Sequence, residues 1–121
     1  MITEKVSALV TALSEKTRAG KFQWEDASDV DEELFRTVIG EGLVRVGRRV
    51  ETWHDTVDHE PYSVTLVSVW VYGSHSREVG SAEYQGGTPG FREASELVEL
   101  AKASARNSES ELDELIAELK G

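Results

Sequence analysis

The fold of this chain is decided by its centre, residues 34–84, which read LFRTVIGEGLVRVGRRVETWHDTVDHEPYSVTLVSVWVYGSHSREVGSAEY. Apolar and polar residues alternate in short runs through this stretch, and turn residues separate the runs, which is typical of β-strands joined by hairpins. The pattern predicts four antiparallel strands, at residues 34–39, 43–52, 62–72 and 77–85. The third run is apolar on both faces, so we expect it to lie centrally in the sheet with both faces covered.

Helical periods flank this block on both sides. Residues 4–19 place Val6, Leu9, Val10 and Leu13 on one stripe, which predicts an amphipathic helix. A second helix is expected after the glycine-rich segment 86–90, and Asn107 is expected to interrupt it. Ser108 and Glu111 have the spacing of a capping box, which predicts a short third helix burying Leu112, Leu115, Ile116 and Leu119.

Sheet and helices are therefore segregated along the chain, and this order is typical of an α+β fold. We expect an N-terminal helix, a four-stranded antiparallel β-meander and a C-terminal helical hairpin or kinked helix. With 121 residues the chain has the length of one domain, so residues 1–121 are interpreted as a single α+β domain.

Composition narrows the classes of function. The chain has no cysteine, which excludes disulfides and thiolate-bound zinc and favours a cytoplasmic location. No apolar run has the length of a membrane span, so no membrane partner is expected. The formal net charge is −10, with acids concentrated in residues 25–33, and this field disfavours binding to nucleic acid.

Two histidines and several carboxylates lie in the connection at residues 53–60. His54, Asp58 and His59 are candidate metal ligands there, although their spacing differs from the helical zinc motifs and a solvated hairpin loop explains the same residues. No nucleophile, base and charge stabiliser occur in an evident set, and no nucleotide-binding loop is present. We therefore expect neither an enzyme nor a cofactor.

Two groups of residues are candidates for binding a partner. Arg45 and Arg49 share one face of the predicted sheet, where they could hold a phosphate or an acidic peptide, or could pair with Glu41, Glu51 or Glu83. The second group is the last apolar stripe, which becomes a docking surface if its helix projects from the protein. Its members are Leu112, Leu115, Ile116 and Leu119.

The segment from Leu13 to Glu25, which reads LSEKTRAGKFQWE, resembles the opening of small uncharacterised bacterial proteins. In these proteins an amphipathic helix ends in a Lys-Thr-x-x-Gly-Lys-like turn, and an x-Trp-Glu segment, a β-meander and C-terminal helices follow. The resemblance implies an α+β fold and a bacterial origin. It implies no established activity.

Three hypotheses of function follow from these observations. The first is a non-enzymatic module for protein–protein interaction, of which self-association is the simplest form. The second is a small-ligand binder whose pocket lies beneath the helices and is lined by aromatic residues, namely Trp24, Trp53, Trp70, Tyr62 and Tyr72. The third is an acidic inhibitor or mimic that binds a basic partner.

Overall fold

A computed structural model of the chain describes residues 2–55 and 60–121. It confirms the α+β class. The elements in chain order are α1 (Ile2–Arg18), β1 (Glu25–Asp26), β2 (Glu33–Ile39), β3 (Gly42–Trp53), β4 (Tyr62–Tyr72), a 3₁₀ turn (Ser74–Ser76), β5 (Glu78–Gln85) and α2 (Phe91–Lys120). The described sheet thus has five strands, because the short β1 adds to the four that the sequence predicts.

The sheet is an antiparallel meander in which neighbours in space are neighbours in the chain. Its order is β1-β2-β3-β4-β5, and β2 and β3 are joined by a tight hairpin that pairs Ile39 with Gly42. Gly40 has a φ of 58° in this turn, a conformation that glycine adopts without steric cost. The middle position belongs to β3, and β4 lies between β3 and β5.

Both helices pack on the same face of the sheet. Val6, Val10 and Leu13 of α1 and Leu97 and Val98 of α2 are buried in one cluster with the sheet residues that face them. The alternation of strand side chains puts the following sheet residues in that cluster: Phe35, Val44, Val46, Val67, Val69 and Tyr84. As expected, β4 is buried on both faces: Val67 and Val69 face the helices, and Val64 and Leu66 are buried on the other face, where no helix of the described chain lies.

Trp24 joins the two helices to the sheet. Its side chain is buried, and its indole Nε1 donates a hydrogen bond to Thr17 Oγ1 of α1 at 3.1 Å. Its backbone N–H donates to Ser104 Oγ of α2, also at 3.1 Å. The preceding residue is held as well, because Thr37 Oγ1 of β2 donates to the Gln23 carbonyl at 2.7 Å. The aromatic segment after α1 therefore anchors three elements at once.

The C-terminal part of the chain forms one continuous helix, α2, instead of a hairpin or kinked helix. Ser108 is not a helix cap, since its hydroxyl donates back to the Ser104 carbonyl, four residues earlier, at 3.2 Å. Asparagine costs well under 1 kcal/mol relative to alanine inside a helix, which is too little to break a favourable run at Asn107. With 30 residues, α2 is about 45 Å long, and no helix of the described chain is long and apolar enough to cross a membrane.

Candidate functional site

Two surfaces of the described protein expose apolar side chains in an ordered pattern. One is the distal part of α2, residues 109–120, which we call the tail. The other is the side of the sheet that faces away from the helices, which we call the open face. Large exposed apolar surfaces that are not scattered are typical of interaction sites.

A line of residues, all apolar except Ser108, runs along α2 and continues into the tail. Its residues are separated by alternating steps of four and three, which is the seam that a helix presents to a partner helix. We call this line the seam, and its members are Ala94, Val98, Ala101, Ala105, Ser108, Leu112, Leu115 and Leu119.

The seam is covered in its first half and uncovered in its second. Every member from Ala94 to Ala105 is buried, whereas Leu112 and Leu115 are each 58% exposed and Leu119 is 89% exposed. Ile116, beside the seam, is 41% exposed. All residues from position 109 onward are exposed, so the tail extends beyond the rest of the described protein.

The covered half ends where α1 ends. Arg18, the last residue of α1, forms an ion pair with Glu96 in the first half of α2. The backbone then turns at Gly20, whose φ is 74°, and Trp24 reaches Ser104. No described element continues past that point along α2, and therefore the seam loses its cover after Ser108.

Acidic residues line both edges of the exposed seam. In a helix of 3.6 residues per turn, Glu111 and Glu118 lie on one side of it, and Glu109 and Asp113 lie on the other. The tail also carries Glu114 and a single base, Lys120. None of these carboxylates forms an ion pair with the residues that the structure describes. The tail is therefore an apolar stripe between two rows of free negative charge.

The open face divides into two halves, and the half around Arg49 is closed by its own side chains. Arg49 Nη2 and Nε donate to Glu83 and Glu51, each at 2.9 Å, and Nη1 donates to Ser68 Oγ at 3.0 Å. The hydrogen bond to Glu83, followed by the one to Glu51, raises the pKa of the Arg49 guanidinium above its ordinary value. Leu66, which pairs with Arg49 across the strands, is buried. The predicted pairing of Arg49 with Glu51 and Glu83 is thus present in the structure.

The half around Arg45 is organised differently. The Arg45 guanidinium carbon lies 5.6 Å from the centroid of the Trp70 ring, its partner across β3 and β4, which is a cation–π contact. Within the described residues Arg45 forms no ion pair, neither with Glu41 nor with any other acid. Tyr72 and Leu43 are half-buried beside it, and Val38 is 64% exposed. A cation, two aromatic rings and aliphatic side chains are therefore available together on this surface.

Irregular backbone lies at the edge of the Arg45 half. The pairing of β4 with β5 shifts its register between Val71 and Tyr72, which is a β-bulge or a similar irregularity. His75 and Ser76 follow with φ values of 62° and 59°, and residues other than glycine rarely adopt such values. Both residues line a surface cleft together with Arg45, Leu43 and Tyr72.

Arg48 lies on the opposite face of β3, where it fixes α2 to the sheet. Its Nη2 donates to Glu99 at 2.6 Å and to Glu33 at 2.9 Å, and its Nη1 donates to Ser95 Oγ at 3.3 Å. The hydrogen bond from Arg48 is the main reason that the pKa of Glu99 is lowered below its ordinary value. This network fixes the direction in which α2 leaves the sheet.

The candidate metal ligands do not form a described site. His54 is exposed after β3, while Asp58 and His59 lie outside the described residues. Among residues 2–55 and 60–121 no three histidine, aspartate or glutamate side chains are grouped so that they could hold a metal ion.

The expectation that the aromatic residues line a pocket beneath the helices is wrong. Trp24 is buried between the helices and the sheet, but the other four aromatic residues lie on the open face, as their pairing shows. Trp53 pairs with Tyr62, Trp70 pairs with Arg45, and Tyr72 pairs with Leu43. The aromatic surface of the protein is therefore on the side away from the helices.

Trp70, Tyr72, Leu43 and Val38 are surface residues that were not predicted to belong with Arg45. Strand alternation alone assigns each of them to a face, but which residues are neighbours depends on the register between β2, β3 and β4. The continuous seam was available in the sequence as the alternating steps of four and three that run through Ser108.

No protein-family model, curated protein or solved structure matches this chain. The resemblance to small bacterial proteins stays an expectation, and inferences about function depend on the protein's own surfaces.

Proposed function

We propose that this chain is a non-enzymatic protein-interaction module that binds its partner through the exposed seam of the tail. The observation that supports the proposal is that one seam is buried as far as Ala105 and exposed from Leu112 onward. The exposed anchors Leu112, Leu115, Ile116 and Leu119 stand at positions i, i+3, i+4 and i+7, which is the pattern by which helices dock into apolar grooves.

The energetic basis is the apolar surface that the tail leaves in water. Complete burial of a leucine or isoleucine side chain contributes roughly 1.5–3 kcal/mol, and Leu112, Leu115, Ile116 and Leu119 are all in reach of one partner surface. The tail is already helical, so a partner does not have to order it on binding. Because the stripe is already formed, its burial against a partner is favoured over its exposure to water.

The charges beside the seam limit the chemistry of the partner. Two tails packed side by side would bring Glu111 and Glu118 of one copy near acids of the other, and like charges at these flanking positions oppose pairing. A partner surface with lysine or arginine around an apolar centre would be attracted instead. We therefore propose an apolar partner surface with a basic rim.

The direct test uses a synthetic helical peptide as the probe, with leucine along its seam and lysine beside it. We expect the peptide to bind the wild-type protein, and the double variant Leu115→Ser, Ile116→Ser to bind at least about ten-fold more weakly, because two anchors are lost. Fluorescence anisotropy of the labelled peptide measures both affinities. Binding should weaken with added salt, since exposed charges are screened.

Two controls separate the seam from general attraction to an acidic protein. A peptide of the same seam with glutamate in place of lysine should not bind. The variant Val50→Ser removes an exposed apolar side chain elsewhere, at a residue that is 65% exposed, and should bind like the wild type. Equal binding by the seam variant and the wild type would contradict the proposal.

A further inference from the structure

We infer that the partner surface is the Arg45 half of the open face of a second copy, so that the tail of one molecule docks across the sheet of another. The inference rests on the proposed function and adds the identity of the partner. It joins the two ordered apolar surfaces of the described protein, which are otherwise both left in water.

The Arg45 half has the composition of a binding surface. Tryptophan, tyrosine and arginine are the residues most enriched among those that dominate the energy of interfaces. Here Arg45 lies over Trp70, with Tyr72 beside them, and Val38 is largely exposed. The neighbouring Arg49 half offers no equivalent surface, because its guanidinium is already bound to Glu51 and Glu83.

The charges of the two surfaces are complementary. The tail has five carboxylates and one ammonium group, and the Arg45 half has a guanidinium that no described acid neutralises. Arg36 adds a second guanidinium nearby, exposed and paired at 2.9 Å with the still more exposed Glu25. The planar guanidinium of arginine pairs well with any carboxylate, because its two N–H groups match the two carboxylate oxygens. Arg36 can therefore exchange Glu25 for a carboxylate of the tail.

The dimensions of the two surfaces also agree. From Leu112 to Leu119 the seam extends about 10 Å, at 1.5 Å per residue, which is close to two strand spacings of about 4.8 Å. The apolar anchors of one tail can thus span β2, β3 and β4 of the other copy. α2 packs on the face of the sheet opposite the Arg45 half and continues as one helix into the tail, so the contact is assigned to two copies.

A two-fold axis would allow each tail to contact the other copy's sheet. Stable interfaces bury roughly 1,200–2,000 Å² in total, which two reciprocal helix-on-sheet contacts can supply more readily than one. Such a dimer is isologous and closes on itself, so it does not require growth into fibres.

The test measures the mass of the protein in solution by sedimentation velocity over a dilution series from roughly 1 μM to 1 mM, the range of moderate affinities. We expect wild-type protein to reach twice the 13.4 kDa monomer mass as concentration rises. Arg45→Glu should weaken association at least about ten-fold, since it places a negative charge under an acidic tail. Arg92→Glu, an exposed charge reversal at the far end of α2, should leave it unchanged.

A charge exchange then tests the contact itself. Adding Glu111→Lys and Glu118→Lys to the Arg45→Glu chain should restore association, because attraction returns with its sign reversed. Circular dichroism of each variant checks that the fold is intact.

The inference is overturned if the wild type stays monomeric throughout the dilution series, or if Arg45→Glu associates as the wild type does. In either case, loss of peptide binding by Leu115→Ser, Ile116→Ser would still support the proposed function. If that double variant changes neither peptide binding nor association, both the inference and the proposed function fail.

Discussion

The two halves of α2 have the same seam in different surroundings, and the difference separates what holds the protein together from what it offers to others. From Ala94 to Ala105 the seam is buried against α1 and the sheet, whereas from Leu112 to Leu119 it faces water. Helix period alone therefore does not decide burial. The cover is provided by α1, Trp24 and the sheet, and it ends at Ser104 and Ser108.

The largest difference in stability between the two halves of α2 is expected when proline is placed at an exposed position in each half. Ala103→Pro should cost about 3 kcal/mol or more of the free energy of unfolding, because it interrupts the helix where the helix is packed on the core. Glu114→Pro should change that free energy by less than about 0.5 kcal/mol and should remove only the helicity of the tail. Urea unfolding followed by tryptophan fluorescence measures both. Equal losses would mean that the tail is part of the cooperative core.

Leucine truncations give the next effect in size. Leu97→Ala removes a fully buried side chain, and we expect a loss of about 2–5 kcal/mol in the free energy of unfolding from lost burial and the cavity left behind. Leu115→Ala should cost less than about 0.5 kcal/mol in the monomer, because its side chain is 58% exposed. Thermal and urea unfolding of dilute protein compare the two. A loss above 1 kcal/mol for Leu115→Ala would show that the tail seam is covered within the monomer.

A smaller effect is expected from the hydrogen bond between the Trp24 indole and Thr17, near the end of α1. Thr17→Val should cost about 1–3 kcal/mol, because it leaves the buried Trp24 indole N–H without its acceptor. Thr11→Val is the matched control at an exposed position of the same helix and should stay within about 0.5 kcal/mol of the wild type. Unfolding curves of both variants, recorded under identical conditions, measure the two changes in the free energy of unfolding. If Thr17→Val is as stable as its control, the hydrogen bond does not contribute to the anchoring of α1.

The smallest effect concerns pH. The hydrogen bond from Arg48 lowers the pKa of Glu99 in the folded protein, so its contribution is present above the ordinary carboxylate pKa of 4.5 and is lost as the pH falls below it. Because the Glu99 side chain is 58% exposed, we expect less than about 0.5 kcal/mol after solvent screening.

Melting temperatures of Glu99→Gln between about pH 3 and 7 test this expectation, and they should fall less steeply towards acid than those of the wild type. Glu111→Gln, which changes a tail carboxylate without an ion pair to a described residue, serves as the comparison. An unchanged slope for Glu99→Gln would contradict a stabilising contact between Arg48 and Glu99.

The strands and the first helix could be predicted closely from the sequence. Residues 62–72 were predicted as a strand with the bounds that β4 has. The turn at Gly40 was predicted from the sequence Gly-Glu-Gly at residues 40–42. Such features depend on local alternation and on turn chemistry, which are visible in the sequence.

Features that depend on distant parts of the chain could not be predicted. The contact between Arg45 and Trp70 depends on the register between β3 and β4, which short-range patterns do not specify. The break expected at Asn107 failed for another reason. Local signals for a cap at Ser108 were outweighed by the continuous helical period on both sides, and the hydroxyl bonded within the helix instead.

The meander order has a consequence for the route of folding. Each strand pairs with its neighbour in the chain, so the sheet can form hairpin by hairpin with short loops to close. The helices are different, because the hydrogen bonds of Ser7 to Tyr84 and of Trp24 to Ser104 join residues 77 and 80 positions apart. We therefore expect the hairpins of the sheet to form before the helices pack on it.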